Sequence, residues 1–131
     1  MNALNILAIA LLALLSTTSS AQQSVAKGLF QTDLPDIEGR EAVMLEVEYP
    51  PGVSSASHRH NAHTFVYVLE GTVQMQVSGG EIKTLTVGQT FYESPSDIHS
   101  VSRNASETEP AKILVVFIKM KGAPASEPAR D

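Results

Sequence analysis

Three of the four histidines of this chain stand within six residues of one another. His58, His60 and His63 lie in the run GVSSASHRHNAHTFVYVLEG, and the fourth, His99, lies downstream. A neutral imidazole is the commonest ligand for transition metals in proteins. In an extended strand, residues i and i+2 face the same way, so His58 and His60 can point at one ion from a single strand. The spacing predicts a metal site that a third ligand, from a distant strand, would complete.

The composition describes one small domain without cysteine chemistry. The chain has 131 residues, 43% of them hydrophobic, with a net charge of -5 and no cysteine. Disulfides, zinc thiolate sites and a cysteine nucleophile are therefore excluded. The acidic balance offers no basic patch, so we expect no nucleic-acid partner. Any chemistry must use histidine, carboxylate, hydroxyl or amide groups.

The first 21 residues have the features of a secretory signal peptide. Residues 4–15 form an apolar run of suitable length, and Ser19 and Ala21 are the small residues that signal peptidase prefers. We expect cleavage after Ala21 and export to the periplasm or the cell exterior, with no membrane attachment afterwards. An uncleaved anchor is the alternative, because the segment lacks the usual Lys or Arg before its apolar run.

The rest of the chain is patterned as short strands separated by turns. Residues 64–69 and 73–77, joined at Gly71, are predicted to form a hairpin. No segment carries a long amphipathic helical period, so the pattern favours an all-β sandwich or barrel such as a jelly roll. The predicted strands cover residues 42–49, 64–69, 73–77, 82–87, 90–93, 99–103 and 113–120.

These strands set the expected domain organisation. After the signal peptide at residues 1–21, residues 22–41 form an N-terminal segment and residues 42–121 a single β-barrel. Residues 122–131, GAPASEPARD, are rich in proline and in small or polar residues, so we expect a disordered tail.

At its first histidine cluster the chain resembles the cupin superfamily, specifically the small single-domain cupins. The first cupin motif is a glycine, five residues, His-x-His, three or four residues, a glutamate, six residues and a glycine. Gly52, His58, His60 and Gly71 fall on this pattern. Thr64 stands at the glutamate position.

The second cupin motif continues the resemblance downstream. It is a glycine, five residues, Pro-x-Gly, two residues and a histidine. Gly88 and His99 match it, while Ser94 and Ser96 stand where proline and glycine are usual. Asn104 lies one residue later than the trailing asparagine of the family.

The resemblance implies a cupin jelly-roll barrel, often a homodimer, with a divalent metal between the two motif strands. His58, His60 and His99 carry over as its ligands, whereas the glutamate ligand does not. Three histidines with a carboxylate suit Fe(II), Mn(II) or Ni(II), and a nitrogen-only set is closer to zinc, copper, nickel or iron. The metal is therefore expected to be iron, nickel, copper, manganese or zinc.

Two neighbours of the missing glutamate are candidates for its place. Strand parity turns His63 away from the pocket unless a bulge at Asn61 intervenes, so His63 is either a fourth ligand or a surface histidine. Thr64 is expected to line the pocket and to hold a water near the metal, and Tyr67 to add a hydroxyl to the lining. Glu93 ends a strand and is expected at the surface.

Two classes of function follow. The first is an exported metal-dependent enzyme acting on a small organic substrate, with dioxygenase chemistry of the quercetinase-like kind implied by the resemblance. The second is a non-catalytic module that binds a small ligand or a structural metal. A structural ion is normally surrounded by protein ligands, whereas a catalytic one keeps an open position. The two classes are separated by whether His63 is a ligand.

Overall fold

The computed structural model describes residues 21–130 and contains ten strands and no helix in that range. The predicted signal peptide lies almost wholly outside the described residues. Across those same positions, no helix has the length and apolarity to cross a membrane. The strands are β1 (Val25–Asp33), β2 (Arg40–Tyr49), β3 (His58–Arg59), β4 (His63–Glu70), β5 (Thr72–Val77), β6 (Lys83–Thr86), β7 (Thr90–Glu93), β8 (His99–Asn104), β9 (Ala111–Met120) and β10 (Glu127–Pro128).

The strands form two antiparallel five-stranded sheets. One has the order β1-β2-β9-β4-β7 and the other β10-β3-β8-β5-β6. This arrangement confirms the all-β prediction and is consistent with a jelly roll. The two sheets pack face to face, and their central strands present one face to the interior, whereas every residue of β1 is exposed.

Period-two alternation decides which side chains enter the interior. In β4, Thr64, Val66 and Val68 are buried, whereas Phe65 and Tyr67 between them are exposed. In β9 every second residue from Ala111 to Lys119 is buried. The inward side chains of the two sheets pack against each other and form a hydrophobic core between them, as in other β-sandwiches.

The predicted hairpin between residues 64–69 and 73–77 is wrong. β4 pairs with β7 and β9, while β5 pairs with β6 and β8, so the two segments lie in different sheets. Gly71 makes the crossing: its φ is 70°, and a Cβ there would clash with the carbonyl of Pro110. A glycine in the sequence indicates a turn, but it does not indicate with which strand the next segment pairs.

Strands occur at both ends of the described chain, including the tail whose composition is typical of disorder. The segment at residues 22–41 contains β1, which pairs with β2 from Val25 to Asp33 with one irregularity at Gly28. The tail contains β10, which pairs with β3. Hydrogen bonds explain the ordered tail: the Lys119 ammonium donates to the Ala123 carbonyl at 2.5 Å, and the amide of Ala129 donates to Ser57 at 3.2 Å.

Candidate metal centre

A cavity of about 400 Å³ lies between the two sheets. The sheet that contains β2, β4 and β9 contributes the apolar side chains together with Tyr49, Thr64 and Glu93, and the other sheet contributes His58, His99 and Ser102. The tail crosses beside it, because residues 125–128 also line the cavity. Its apolar wall consists of Leu45, Val47, Val66, Ile113, Val115 and Phe117.

Two imidazoles are held by backbone carbonyls at the start of the motif region. The Nδ1 atom of His58 donates to the carbonyl of Ala56 at 2.7 Å. The Nδ1 atom of His60 donates to the carbonyl of Ala125, in the tail, at 2.8 Å. These bonds assign the proton of each neutral ring to Nδ1 and leave Nε2 with a free lone pair.

The two free nitrogens face each other. His58 Nε2 and His60 Nε2 are 3.1 Å apart. Burial, assisted by His58 and opposed by the bond to Ala125, lowers the pKa of His60 to about 4, so its ring is neutral at pH 7. Two lone pairs at this distance repel each other unless a proton or a metal ion lies between them. The pair is therefore suited to a metal ion.

His99 completes the group from the second motif. It begins β8 and stands directly opposite His58 in the register of β3 and β8. Burial first, and then the neighbouring histidines, lower its pKa to about 3, so this ring is also neutral at pH 7. One nitrogen from each of His58, His60 and His99 lies within 4.8 Å of the others. The structure therefore brings together the three histidines of the two motifs.

A carboxylate enters the same site from β7. Glu93 is only 2% exposed, and its Oε2 lies 3.2 Å from His99 Nδ1 and 3.8 Å from His60 Nε2. Burial, together with the charge of Asp97, raises its pKa to about 8. The expectation that Glu93 lies at the surface is wrong. The alternation of β7, with Phe91 and Glu93 both inward, was the sequence signal that would have placed it.

The site contains polar groups that the protein itself leaves without partners. Among residues 21–130, the buried side-chain nitrogen and oxygen atoms without a hydrogen-bond partner are Glu93 Oε2, His99 Nδ1 and His99 Nε2. Buried polar groups are nearly always satisfied, and leaving one unpaired is costly. All three lie beside the histidine group, so the donors present there fit a bound cation.

The residues around the missing glutamate are divided between the two faces of β4. Thr64 is buried and lines the cavity, as expected, but its hydroxyl donates to the Ala62 carbonyl at 3.3 Å. Tyr67 is a correction: it is 44% exposed on the outer face and does not line this cavity. Strand alternation explains this, because Tyr67 is three residues from Thr64.

His63 also lies on the outer face of β4. It is exposed, stands outside the three-histidine group, and its Nδ1 is hydrogen-bonded to the Tyr92 hydroxyl at 2.7 Å. The backbone is irregular at Asn61, with φ of 50°, at the position where a bulge could have turned His63 inward. This irregularity carries the chain from one sheet to the other, and parity still turns His63 outward.

Comparisons with known proteins agree with this architecture. The family model described as "Cupin domain" matches residues 45–117. A double-stranded β-helix protein from Klebsiella pneumoniae has 20% identity and a TM-score of 0.64, with 86% of this chain and 90% of that one covered. A cupin-like protein from Thermotoga maritima has 19% identity and a TM-score of 0.64, with coverages of 81% and 75%.

Some of the similar structures have a stated activity. A DMSP lyase from Ruegeria pomeroyi has 19% identity and a TM-score of 0.59, and the match covers 67% of this chain but only 43% of the lyase. Such identities establish likeness of fold alone. No curated protein matches the chain. The match over residues 45–117 takes in more than half of the sequence, and the chain therefore belongs to the cupin family.

Proposed function

We propose that this protein is a metal-dependent cupin enzyme that binds one divalent transition metal through His58, His60 and His99. The observation that carries the proposal is a group of three imidazoles, in which His58 Nε2 and His60 Nε2 face each other at 3.1 Å and the buried nitrogens of His99 have no hydrogen-bond partner. The metal is iron, nickel, copper, manganese or zinc, since all accept imidazole ligands. When bound, the ion supplies a Lewis acid or an oxygen-activating centre.

The protein's own contribution is orientation of the imidazoles. Carbonyls of Ala56 and Ala125 fix the Nδ1 protons of His58 and His60, so both Nε2 atoms are directed inward. Such outer hydrogen bonds fix the tautomer and the direction of metal-ligating rings. Burial keeps His60 and His99 neutral at pH 7, the protonation state that a metal ligand requires.

The cavity indicates the class of substrate. Its apolar wall excludes water and suits the carbon skeleton of a small organic molecule. On another wall, the hydroxyls of Tyr49 and Ser102 are hydrogen-bonded at 2.6 Å and offer a polar contact for an oxygen substituent. We propose oxygen-dependent, quercetinase-like chemistry on a phenolic or enolic substrate. A DMSP lyase with this fold is consistent with small-molecule turnover on the barrel.

Export and dimer formation are part of the same proposal. Both come from the sequence: the segment at residues 1–21 resembles a signal peptide, and small cupins are often homodimers. Size-exclusion chromatography with light scattering of residues 22–131 measures the mass in solution. Edman sequencing of secreted protein shows whether Gln22 is its first residue.

The proposal is tested by elemental analysis of residues 22–131 purified without chelator or a histidine tag. We expect about one equivalent of metal in the wild type and none in H58A/H60A, with the fold retained in both. H63A is the matched control, because this nearby histidine faces outward, and it should keep the metal. Unchanged metal content in H58A/H60A would contradict the site.

The metal-loaded protein is then screened for oxygen uptake with phenolic and enol substrates. Turnover that disappears in H58A/H60A supports the enzyme. Stable metal or ligand binding without any turnover would favour the alternative, a non-catalytic binding module.

A further inference from the structure

Glu93 occupies the place beside the centre that Thr64 leaves without a carboxylate. In the register of β4 and β7, Glu93 stands directly opposite Thr64. Both side chains are buried and both line the cavity. Side chains opposite each other on antiparallel strands have Cβ atoms about 5 Å apart, so either position can deliver a group to the same region.

Glu93 lies outside the group of three histidines whose ligand atoms are within 4.8 Å of one another, but its distances to two of them suit a shared ligand. With metal–ligand bonds of about 2.1 Å, two donors on one ion lie roughly 3.0 to 4.2 Å apart. Glu93 Oε2 is 3.8 Å from His60 Nε2 and 3.2 Å from the nearer nitrogen of His99. The separation of His58 Nε2 and His60 Nε2, 3.1 Å, falls in the same range.

Nothing else in the described part of the chain occupies this carboxylate oxygen. Glu93 Oε2 has no hydrogen-bond partner, and no lysine or arginine among residues 21–130 forms an ion pair with it. A buried carboxylate without a cation is disfavoured and takes up a proton instead, so a cation bound beside the imidazoles is the partner that would keep Glu93 ionised.

We propose that Glu93 supplies the carboxylate ligand of the centre, from β7, in place of the first-motif position that Thr64 occupies. The inference rests on the proposed metal site. It changes the ligand set from three nitrogens to three nitrogens and one oxygen, which favours iron, manganese or nickel over a nitrogen-only preference. An ion held by His58, His60, His99 and Glu93 would supply Lewis-acid or oxygen-activating chemistry to a substrate in the cavity.

The test measures Ni(II) affinity by titration of metal-free protein, together with the visible absorption of the Co(II)-substituted protein. E93Q is expected to weaken Ni(II) binding by more than about 100-fold, beyond the 10- to 100-fold typical of residues that only orient a ligand. The Co(II) spectrum should change, because an oxygen ligand is lost. E70Q, at an exposed glutamate that ends β4, is the control and should match the wild type.

A second experiment moves the carboxylate from β7 to the facing position on β4 and is the more specific test. In T64E/E93Q the carboxylate returns to the first-motif position, and we expect Ni(II) affinity within about tenfold of the wild type. If that double variant does not fold, E93D replaces it: the carboxylate is retained one methylene short, and the Co(II) spectrum should resemble the wild type more than E93Q.

Three results would overturn the inference. One is E93Q binding Ni(II) within about threefold of the wild type. Another is an unchanged Co(II) spectrum in E93Q, which would make Glu93 a positioning residue for His99. The third is failure of a folded T64E/E93Q to recover affinity. Loss of metal in H58A/H60A combined with normal binding in E93Q would remove this inference alone, whereas a wild type that binds no metal would remove the proposed function.

Discussion

Glu41 and Glu93 are two glutamates with the same burial and opposite surroundings. Each is 2% exposed. The Glu41 carboxylate accepts hydrogen bonds from Lys119 Nζ at 2.5 Å, Gln31 Nε2 at 2.6 Å and the Gly122 amide at 3.1 Å. These partners, Lys119 first, lower its pKa to about 2. Glu41 is a fully satisfied structural group.

Glu93 has neutral rings where Glu41 has donors. Its neighbours are His60 and His99, whose pKa values lie far below neutrality, and its own pKa is raised to about 8 by burial. Burial alone therefore does not decide the state of a carboxylate; the partner set does. A buried carboxylate with hydrogen-bond donors stabilises the barrel. A buried carboxylate without donors indicates a candidate binding site.

Removing the cation of the satisfied pair should give the largest effect. K119M leaves the Glu41 carboxylate buried without its ammonium, and we expect Tm to fall by more than about 10 °C. E93Q, measured in chelator, should instead raise Tm at pH 7, by about 3 °C or more, since it removes a buried carboxyl group whose ionised form is disfavoured in the metal-free protein. Thermal unfolding at pH 7 checks both.

The matched control is K121M, which breaks the exposed pair of Lys121 with Asp33 and should shift Tm by less than about 3 °C. A small effect of K119M together with a large loss of Tm in E93Q would reverse the comparison.

The two carboxylates should also differ in the sign of their pH dependence. The pKa of Glu41 falls on folding from 4.5 to about 2, so its stabilisation is complete above pH 4.5 and is lost as pH falls towards 2. The pKa of Glu93 rises on folding from 4.5 to about 8, so the metal-free protein loses stability as pH rises through that interval.

Melting curves from pH 2 to 9 in chelator measure both effects. The Tm advantage of the wild type over E41Q should vanish near pH 2, and the advantage of E93Q over the wild type should grow from pH 4.5 to 8. Parallel pH profiles for all three proteins would contradict the assignment.

The tail allows the two regions to be separated, because it touches both. Ala123 accepts from Lys119, and Ala125 accepts from His60. Deletion of residues 125–131 keeps the first contact and removes the second. We expect metal affinity to fall by about tenfold, as for loss of an outer hydrogen bond to a ligand, with little change in Tm. Metal titration checks this, with deletion of residues 130–131 as the control.

The smallest expected effect belongs to the outer face of β4. H63A removes the bond to Tyr92 and no group of the cavity. We expect metal affinity within about twofold of the wild type, in contrast to the loss expected for H58A. A metal titration that shows tenfold weakening in H63A would return this histidine to the list of ligands.

The features that depend on local sequence patterns could be predicted. Alternation located most strands and the inward direction of Thr64, and two spaced motifs identified the three histidines. The sequence also contained the phase of β7, but only pairing with Thr64 shows that Glu93 reaches the histidines. Which strands become neighbours in a sheet depends on contacts between segments that are distant in the chain, and the local pattern of one strand does not name its partner.

Contacts between distant segments were likewise beyond local patterns. Glu41 and Lys119 are 78 residues apart in the chain and meet because β2 lies beside β9. The tail has a composition typical of disorder, and it is ordered by bonds that Lys119 and His60 donate to its carbonyls. Backbone carbonyls carry no sequence signature, so such anchors cannot be read from residue types.

The opposition of Thr64 and Glu93 bears on how proteins of this kind are recognised. The two positions are adjacent in space and 29 residues apart along the chain. A carboxylate can therefore be supplied from either position without any movement of the backbone. A search with a linear motif counts the missing glutamate at position 64 as a lost ligand and treats the glutamate at position 93 as unrelated. A search that considers paired positions on neighbouring strands together would recognise that the carboxylate is retained.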